Sequence, residues 1–121
     1  QIIGYDPYNA TWLNAELART YRTEIVRQGP LTFNDPMKDV KELMLDGRIV
    51  TNGDEMLRWY MSNVRLRNDY RDKEKENWMP SKRNRFRKID GFMACLMAHT
   101  VGMQAPRPVG DGEVRVRFFD M

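Results

Sequence analysis

Two aspartates, Asp6 and Asp90, occupy sequence positions at which a carboxylate could bind a catalytic metal ion. Asp6 ends a short apolar strand predicted for residues 1–6, and sites in open α/β sheets collect beyond the carboxyl ends of strands. Asp90 begins the strongest helical pattern, directly after a run of arginines and lysines. If the fold brings the two carboxylates together, they could share Mg²⁺ or Mn²⁺, which prefer oxygen ligands. A pair of such ions can promote phosphodiester cleavage by activating water and stabilising the leaving oxygen.

Simpler roles stay open for both aspartates. An aspartate before a proline, as in Asp6-Pro7, is typical of a turn. An aspartate at a helix start is typical of an N-cap or of a partner for the helix dipole, and Asp90 fits either description. The chain has one cysteine, Cys95, and one histidine, His99, so a structural zinc site is not expected. Cys95 is instead predicted to be a buried small hydrophobe.

The basic residues are concentrated in one part of the chain. Twenty lysines and arginines oppose 17 aspartates and glutamates overall, but residues 65–88 hold ten of the basic and four of the acidic residues. A local excess of this kind suits the phosphate backbone of a nucleic acid. A solvated loop of mixed charge is the alternative interpretation. The side chains expected to contact phosphates are Lys82, Arg83, Arg85, Arg87 and Lys88.

The composition is that of one small globular domain. The chain has 121 residues, of which 41% are hydrophobic and 31% charged. No apolar run approaches the roughly 18 residues of a membrane span. We expect a domain over residues 1–103 and a C-terminal tail over 104–121, in which VRVRFF could form a strand. Because the chain opens within a predicted strand at Gln1, we expect it to be a piece of a longer protein.

The hydrophobic periodicity predicts an alternation of helices and strands, and therefore an α/β fold. Leu13, Leu17, Tyr21 and Ile25 recur every four residues and predict a helix over 10–28, capped by Asn9 or Thr11. The motif NDP at 34–36 predicts the start of a second helix that ends at Gly47, and NGD at 52–54 begins a third. The predicted strands cover residues 1–6, 48–51, 64–67 and 77–83.

The clearest pattern in the chain predicts a fourth helix over residues 88–102. Its apolar residues follow offsets of 0, 3, 4, 7, 8, 11 and 12, which place them on one helical face. Such a face is expected to pack against the sheet and to contribute the centre of the core. Its members are Ile89, Phe92, Met93, Leu96, Met97, Thr100 and Val101.

Three segments together resemble the C-terminal nuclease part of the large terminase subunit of tailed double-stranded DNA phages. They are IIGYDPYNA, DGRIVTNGDEMLRWYMSNVRLRNDYRDKEKENWMPSKRN and RKIDGFMACLMA, in the expected order. By position, Asp6 matches the family's acidic residue at the end of an inner strand, and Asp90 the one on the last helix. Lys82 matches a lysine close to that site. Trp59 and Asn63 match positions to which we assign no role.

The resemblance covers residues 1 to about 102 and implies a ribonuclease-H-like fold whose acidic cluster binds two Mg²⁺ or Mn²⁺ ions. It implies an endonuclease that cuts concatemeric viral DNA when packaging begins and ends. The implied partners are double-stranded DNA and, in the full-length protein, the portal and the small terminase subunit. The implied location is the host cell cytoplasm, with no role for a membrane. The sequence carries no GxxxxGK[ST] motif, so no ATPase activity is expected from it.

The family's acidic cluster needs a further aspartate, on the first strand of the nuclease fold, and that strand is expected upstream of residue 1. The fold is therefore predicted to be partial, and this chain alone is expected to cut DNA poorly. Two other functions stay open at this point. The chain could be a non-catalytic DNA-binding or assembly module that uses the basic segment 65–88, or a structural α/β fragment.

Overall fold

The computed structural model of the protein describes residues 1–68 and 77–105, which form a mixed α/β structure with two small sheets. The polar segment 68–77, which is predicted to form a turn, and the predicted tail over 104–121 lie mostly outside the described residues. Within these residues, no helix has the length and apolar character that a bilayer-spanning segment needs. The elements are β1 (Ile2–Tyr5), α1 (Thr11–Leu17), β2 (Arg22–Ile25), α2 (Pro30–Leu45), α3 (Glu55–Ser62), β3 (Val64–Asn68), β4 (Trp78–Lys82) and α4 (Asp90–Gln104).

The first sheet pairs β1 with β2 in parallel, with Ile2 opposite Arg22 and Tyr5 opposite Ile25. The predicted helix over 10–28 was therefore wrong, because α1 ends at Leu17 and the chain returns as a strand. The spacing of four that suggested a helix is also an even number, so it fits the two-residue period of a strand. Neither predicted cap acts as one: Ala10 occupies the cap position of α1, without a side-chain hydrogen bond.

Helix α2 begins earlier than the NDP motif predicted. Gly29 is its N-cap residue and Pro30 its first helical residue, where proline's fixed φ is favourable. Pro36 therefore lies inside the helix and has no N–H to offer the carbonyl of Thr32. Asn34 does not cap the helix; its side-chain oxygen accepts a hydrogen bond from the backbone N–H of Trp78 at 2.9 Å. This bond fixes the start of β4 against α2.

The second sheet is an antiparallel pair, and its two members confirm the strands predicted for 64–67 and 77–83. In the register of β3 and β4, Val64 lies opposite Lys82 and Asn68 opposite Trp78. The third helix was also predicted correctly, and the Asp54 side chain caps α3 by accepting from the N–H of Leu57 at 2.7 Å. The predicted strand over 48–51 was wrong: these residues are irregular, and Ile49 packs against the core.

Helix α4 supplies the centre of the core and contacts α2, α3 and β1. The predicted apolar face is confirmed, since Leu96 is only 1% exposed. On the flank of the helix, His99 Nε2 lies 2.6 Å from Asp39 Oδ2 and so joins α4 to α2. The other buried side chains of the core cluster are Val26, Phe33, Met37, Val40, Phe92, Met97 and Val101.

Two glycines allow α4 to approach its neighbours closely. A Cβ placed on Gly4 of β1 would lie 2.8 Å from Val101 Cγ2. A Cβ placed on Gly91, in the first turn of α4, would lie 2.4 Å from Cδ2 of Tyr60. Real Cβ atoms do not come so near to other heavy atoms, so the ring of Tyr60 on α3 occupies space that only glycine leaves free. This contact sets the position of the first turn of α4.

We expect Gly91→Ala to lower the free energy of unfolding by about 1–3 kcal/mol, because the Tyr60 ring would have to move out of a packed contact. Gly102→Ala is the matched control on the same helix, since nothing lies within 4 Å of the added Cβ. It should raise the free energy of unfolding by about 0.5–1 kcal/mol through helix propensity. Urea unfolding of both variants measures the difference, and equal effects would contradict the close contact.

Candidate functional site

An open groove of about 420 Å³ lies between the end of β4 and the first turns of α4. Lys82 and Asp90, two of the predicted site residues, both line it, although they are eight positions apart and belong to different elements. The groove thus places a cation and a carboxylate at one surface. Its full lining is Gln28, Met79, Pro80, Ser81, Lys82, Ile89, Asp90, Met93, Ala94 and Met97.

Asp90 is the first residue of α4, and its side chain is exposed. The cap position belongs to Ile89, which makes no side-chain hydrogen bond, so the alternative that Asp90 is an N-cap was wrong. A carboxylate in the first turn is still favourable for the helix dipole. Asp90 is therefore an accessible carboxylate whose position is fixed by the buried Ile89 on one side and by the Gly91–Tyr60 contact on the other.

Asp6 directly follows β1 and is partly buried. Its Oδ1 accepts a hydrogen bond from the N–H of Tyr8 at 3.1 Å, so it does make the local turn that was the simpler interpretation. One carboxylate oxygen can make this bond while the other binds a different group. Asp6 is not among the residues that line the groove.

The first sheet and the segment after it reach α4 at two places. Gly4 of β1 packs beside Met97 and Val101, whereas Gln28, three residues beyond β2, lines the groove together with Asp90. That Asp6 and Asp90 share an ion stays a prediction.

The segment from Arg83 to Lys88, here called the basic loop, connects β4 to α4. Arg83, Arg85, Arg87 and Lys88 are all exposed, as is Lys82 immediately before the loop. Residues 82–88 contain no acidic side chain. The five cations predicted to contact phosphates thus lie in one exposed stretch of the chain that begins at the groove residue Lys82.

The loop is clamped at both ends by Asn63, which is only 2% exposed. The backbone carbonyl of Asn63 accepts from the N–H of Arg83 at 3.2 Å. Its side-chain amide donates to the carbonyl of Lys88 at 2.8 Å. Asn63 matches a family position to which the sequence alone assigned no role, because a single asparagine after a helix carries no signal for a bond 25 residues away.

A second asparagine shapes the interior of the loop. Asn84 Oδ1 accepts from the backbone N–H groups of Phe86 at 3.0 Å and Arg87 at 3.1 Å. This is a turn in which an asparagine side chain replaces a backbone acceptor. The loop is therefore held in one conformation by hydrogen bonds from within and from α3's end.

Cys95 does not belong to the groove lining. It is half-buried on α4, and burial raises the pKa of its thiol. A raised pKa keeps the side chain in the unreactive thiol form at neutral pH. Its predicted role as a small packing residue fits this position, although the burial is partial rather than complete.

We expect Asn63→Asp to lower the free energy of unfolding by about 1–3 kcal/mol, because the buried donor to the Lys88 carbonyl is lost. Hydrogen exchange should quicken at the amides of residues 83–88 and stay unchanged in the middle of α2. Asn52→Asp is the control, since it adds the same charge at an exposed turn. Unchanged exchange in the basic loop of Asn63→Asp would show that the clamp does not order it.

A comparison with protein-family models matches residues 1–105 to the model described as terminase large subunit, endonuclease domain. Comparisons with curated proteins and with solved structures gave no significant match. The match covers the whole described part of the chain and includes Asp6, Lys82, Asn63 and Asp90. It confirms the family that the three sequence segments had indicated. The chain therefore belongs to the family of terminase large subunit endonuclease domains.

Proposed function

We propose that this protein is a divalent-metal-dependent endonuclease that hydrolyses phosphodiester bonds of double-stranded viral DNA during packaging. Family membership itself implies a nuclease role in DNA packaging. The observation that carries the finer proposal is that Lys82 and Asp90 line one groove, and that the clamped basic loop joins them along the chain. A carboxylate next to a cationic surface can hold a metal ion against a bound phosphate.

The carboxylates of Asp6 and Asp90 are the right type of ligand for a hard divalent cation, but two carboxylates are too few to complete a site. Asp6 and Asp90 offer carboxylate oxygens, which Mg²⁺ and Mn²⁺ prefer. Among residues 1–68 and 77–105, however, no group of three or more histidine, cysteine, aspartate and glutamate side chains could hold a metal ion. In our proposal these two aspartates supply part of the site, and further ligands come from outside the described residues.

The proposed role of each site residue follows from its position in the structure. Asp90 is accessible in the groove and serves as an oxygen ligand, with Asp6 approaching from the end of β1. Lys82 sits in the same groove and neutralises charge on the phosphate that is cut. When bound, two divalent ions would supply activated water and stabilise the leaving oxygen. The five cations from Lys82 to Lys88 hold the neighbouring phosphates, and water is the nucleophile.

The wider features that the resemblance implied remain part of the proposal. They are a ribonuclease-H-like arrangement completed by strands other than β1 and β2, and assembly with the portal and the small terminase subunit in the host cell cytoplasm. The parallel pairing of β1 and β2 supports the first of these, because parallel sheets are normally extended and covered on both faces.

A non-catalytic DNA-binding or assembly module is the second candidate. The small number of acidic ligands among the described residues favours it. In that case the basic loop would bind DNA, and Asp90 would only stabilise the start of α4. The two candidates differ in what removal of the Asp90 charge does to cleavage.

We expect Asp90→Asn to reduce DNA nicking at least 100-fold in manganese, because the variant keeps the side-chain shape but loses a charged metal ligand. The measurement is plasmid nicking, run on this chain and on a version extended at its amino end. The extended version should cut well, whereas the 121-residue chain should cut weakly and still bind DNA.

Asp46→Asn is the matched control, since Asp46 is an exposed aspartate at the end of α2 and is not part of the groove lining. It should cut as well as the unmodified protein. Undiminished cutting by Asp90→Asn would contradict the metal-ligand role, and the second candidate would gain support if no version cut DNA. Robust cutting by the 121-residue chain would show that its own residues complete the site.

A further inference from the structure

Phe86 is the one apolar side chain of the basic loop, and it is 73% exposed. It stands between Arg85 and Arg87, and the loop offers it no core to enter. An apolar side chain left in water amid cations does not help the fold. Single exposed apolar side chains are common on protein surfaces. What distinguishes Phe86 is its place among cations, where a ligand with both negative charge and an apolar surface would contact it and them together.

The loop restrains the backbone of Phe86, and the ring has one neighbour. The backbone N–H of Phe86 donates to Asn84 Oδ1 at 3.0 Å. The guanidinium carbon of Arg85 lies 4.6 Å from the centroid of the Phe86 ring, a cation–π contact. With the Asn63 clamp at the loop ends, these contacts restrict the loop and so lower the entropy lost when it binds a partner.

Phe86 is close to the groove residues along the chain. Lys82, which lines the groove, directly precedes the loop, and Asp90 follows it after one residue. A DNA backbone that contacts the loop cations and reaches the groove would therefore pass Phe86. Nucleobases are the apolar surface that accompanies such a backbone.

We propose that Phe86 is a base-contacting wedge, which inserts between two base pairs of bound duplex DNA next to the groove. Apolar side chains, phenylalanine among them, act in this way in other DNA-binding proteins, where they unstack a base step and bend the duplex. The inference rests on the proposed function for its ligand, DNA. It adds a contact to the bases, whereas the five cations contact the phosphates.

Charge complementarity favours DNA over a protein as the occupant of this surface. Residues 82–88 carry five cations and no acid, which matches the continuous negative charge of a duplex. A protein partner for the same loop is an outcome of the test rather than a second proposal.

The test measures binding to a short duplex that carries 2-aminopurine at a central base step, with a chelator present so that no cleavage occurs. Binding of the unmodified protein should raise the fluorescence as the step unstacks. Phe86→Ala should abolish this rise and weaken binding roughly 5- to 100-fold, the range expected for loss of one stacking contact. Because Phe86 is exposed, the variant should keep its circular dichroism spectrum.

The salt dependence of DNA affinity distinguishes the contribution of the Phe86 ring from that of the basic side chains. Phe86→Ala should keep the slope of log affinity against log salt, whereas Arg87→Gln should make the slope shallower by about one ion and keep the fluorescence rise. Trp12→Ala is the control for an exposed aromatic side chain elsewhere, on α1, where Trp12 is 77% exposed. Trp12→Ala should change neither the salt slope nor the fluorescence rise.

The outcomes distinguish this inference from the proposed function. If Phe86→Ala binds and unstacks the duplex like the unmodified protein, the wedge is refuted while the nuclease proposal stands. If the unmodified protein binds the duplex without any fluorescence rise, the wedge is also refuted, and the loop then contacts phosphates or a protein. If it does not bind DNA at all, the inference and the DNA-binding part of the proposed function fail together.

Discussion

The packing of α4 is the interaction on which the rest of the structure depends. This helix contacts α2, α3 and β1, and its buried face meets the core residues Val26 and Phe33. Leu96 at its centre is almost fully buried, and truncating a leucine in such a position typically costs about 2–5 kcal/mol. The helix also begins with Asp90. The same packing that stabilises the domain therefore also positions Asp90, the proposed metal ligand.

Two sets of contacts made by residues outside α4 position the groove and the basic loop. The Tyr60 ring packs against Gly91 and so fixes the first turn of the helix from the side of α3. One turn later on the chain, Asn63 bonds to both ends of the basic loop. Both contacts come from the same short stretch around the end of α3. The groove and the loop are thus positioned by one neighbour, and a change there would disturb both together.

The sequence predicted those elements whose pattern had a single interpretation. The seven-residue stripe of α4 and the alternating VRLR strand were correct because each fitted one periodicity. The helix over 10–28 was wrong because a spacing of four residues suits a strand as well, and pairing with β1 decided the outcome. Asp90 was singled out by its place at a helix start and Lys82 by the run of basic residues, and both line the groove. The clamp by Asn63 was not, since it depends on a three-dimensional contact that no local pattern reveals.

In the proposed function, the start of α4 and the end of β1 together form a divalent-cation site. Paramagnetic broadening by Mn²⁺ in amide NMR spectra of the protein can locate the bound ion, because the effect falls steeply with distance from the ion. Substoichiometric Mn²⁺ should broaden the signals around Asp90 and Asp6 first, and Asp90→Asn should remove this pattern. Broadening centred elsewhere, or the same pattern in Asp90→Asn, would rule out this site.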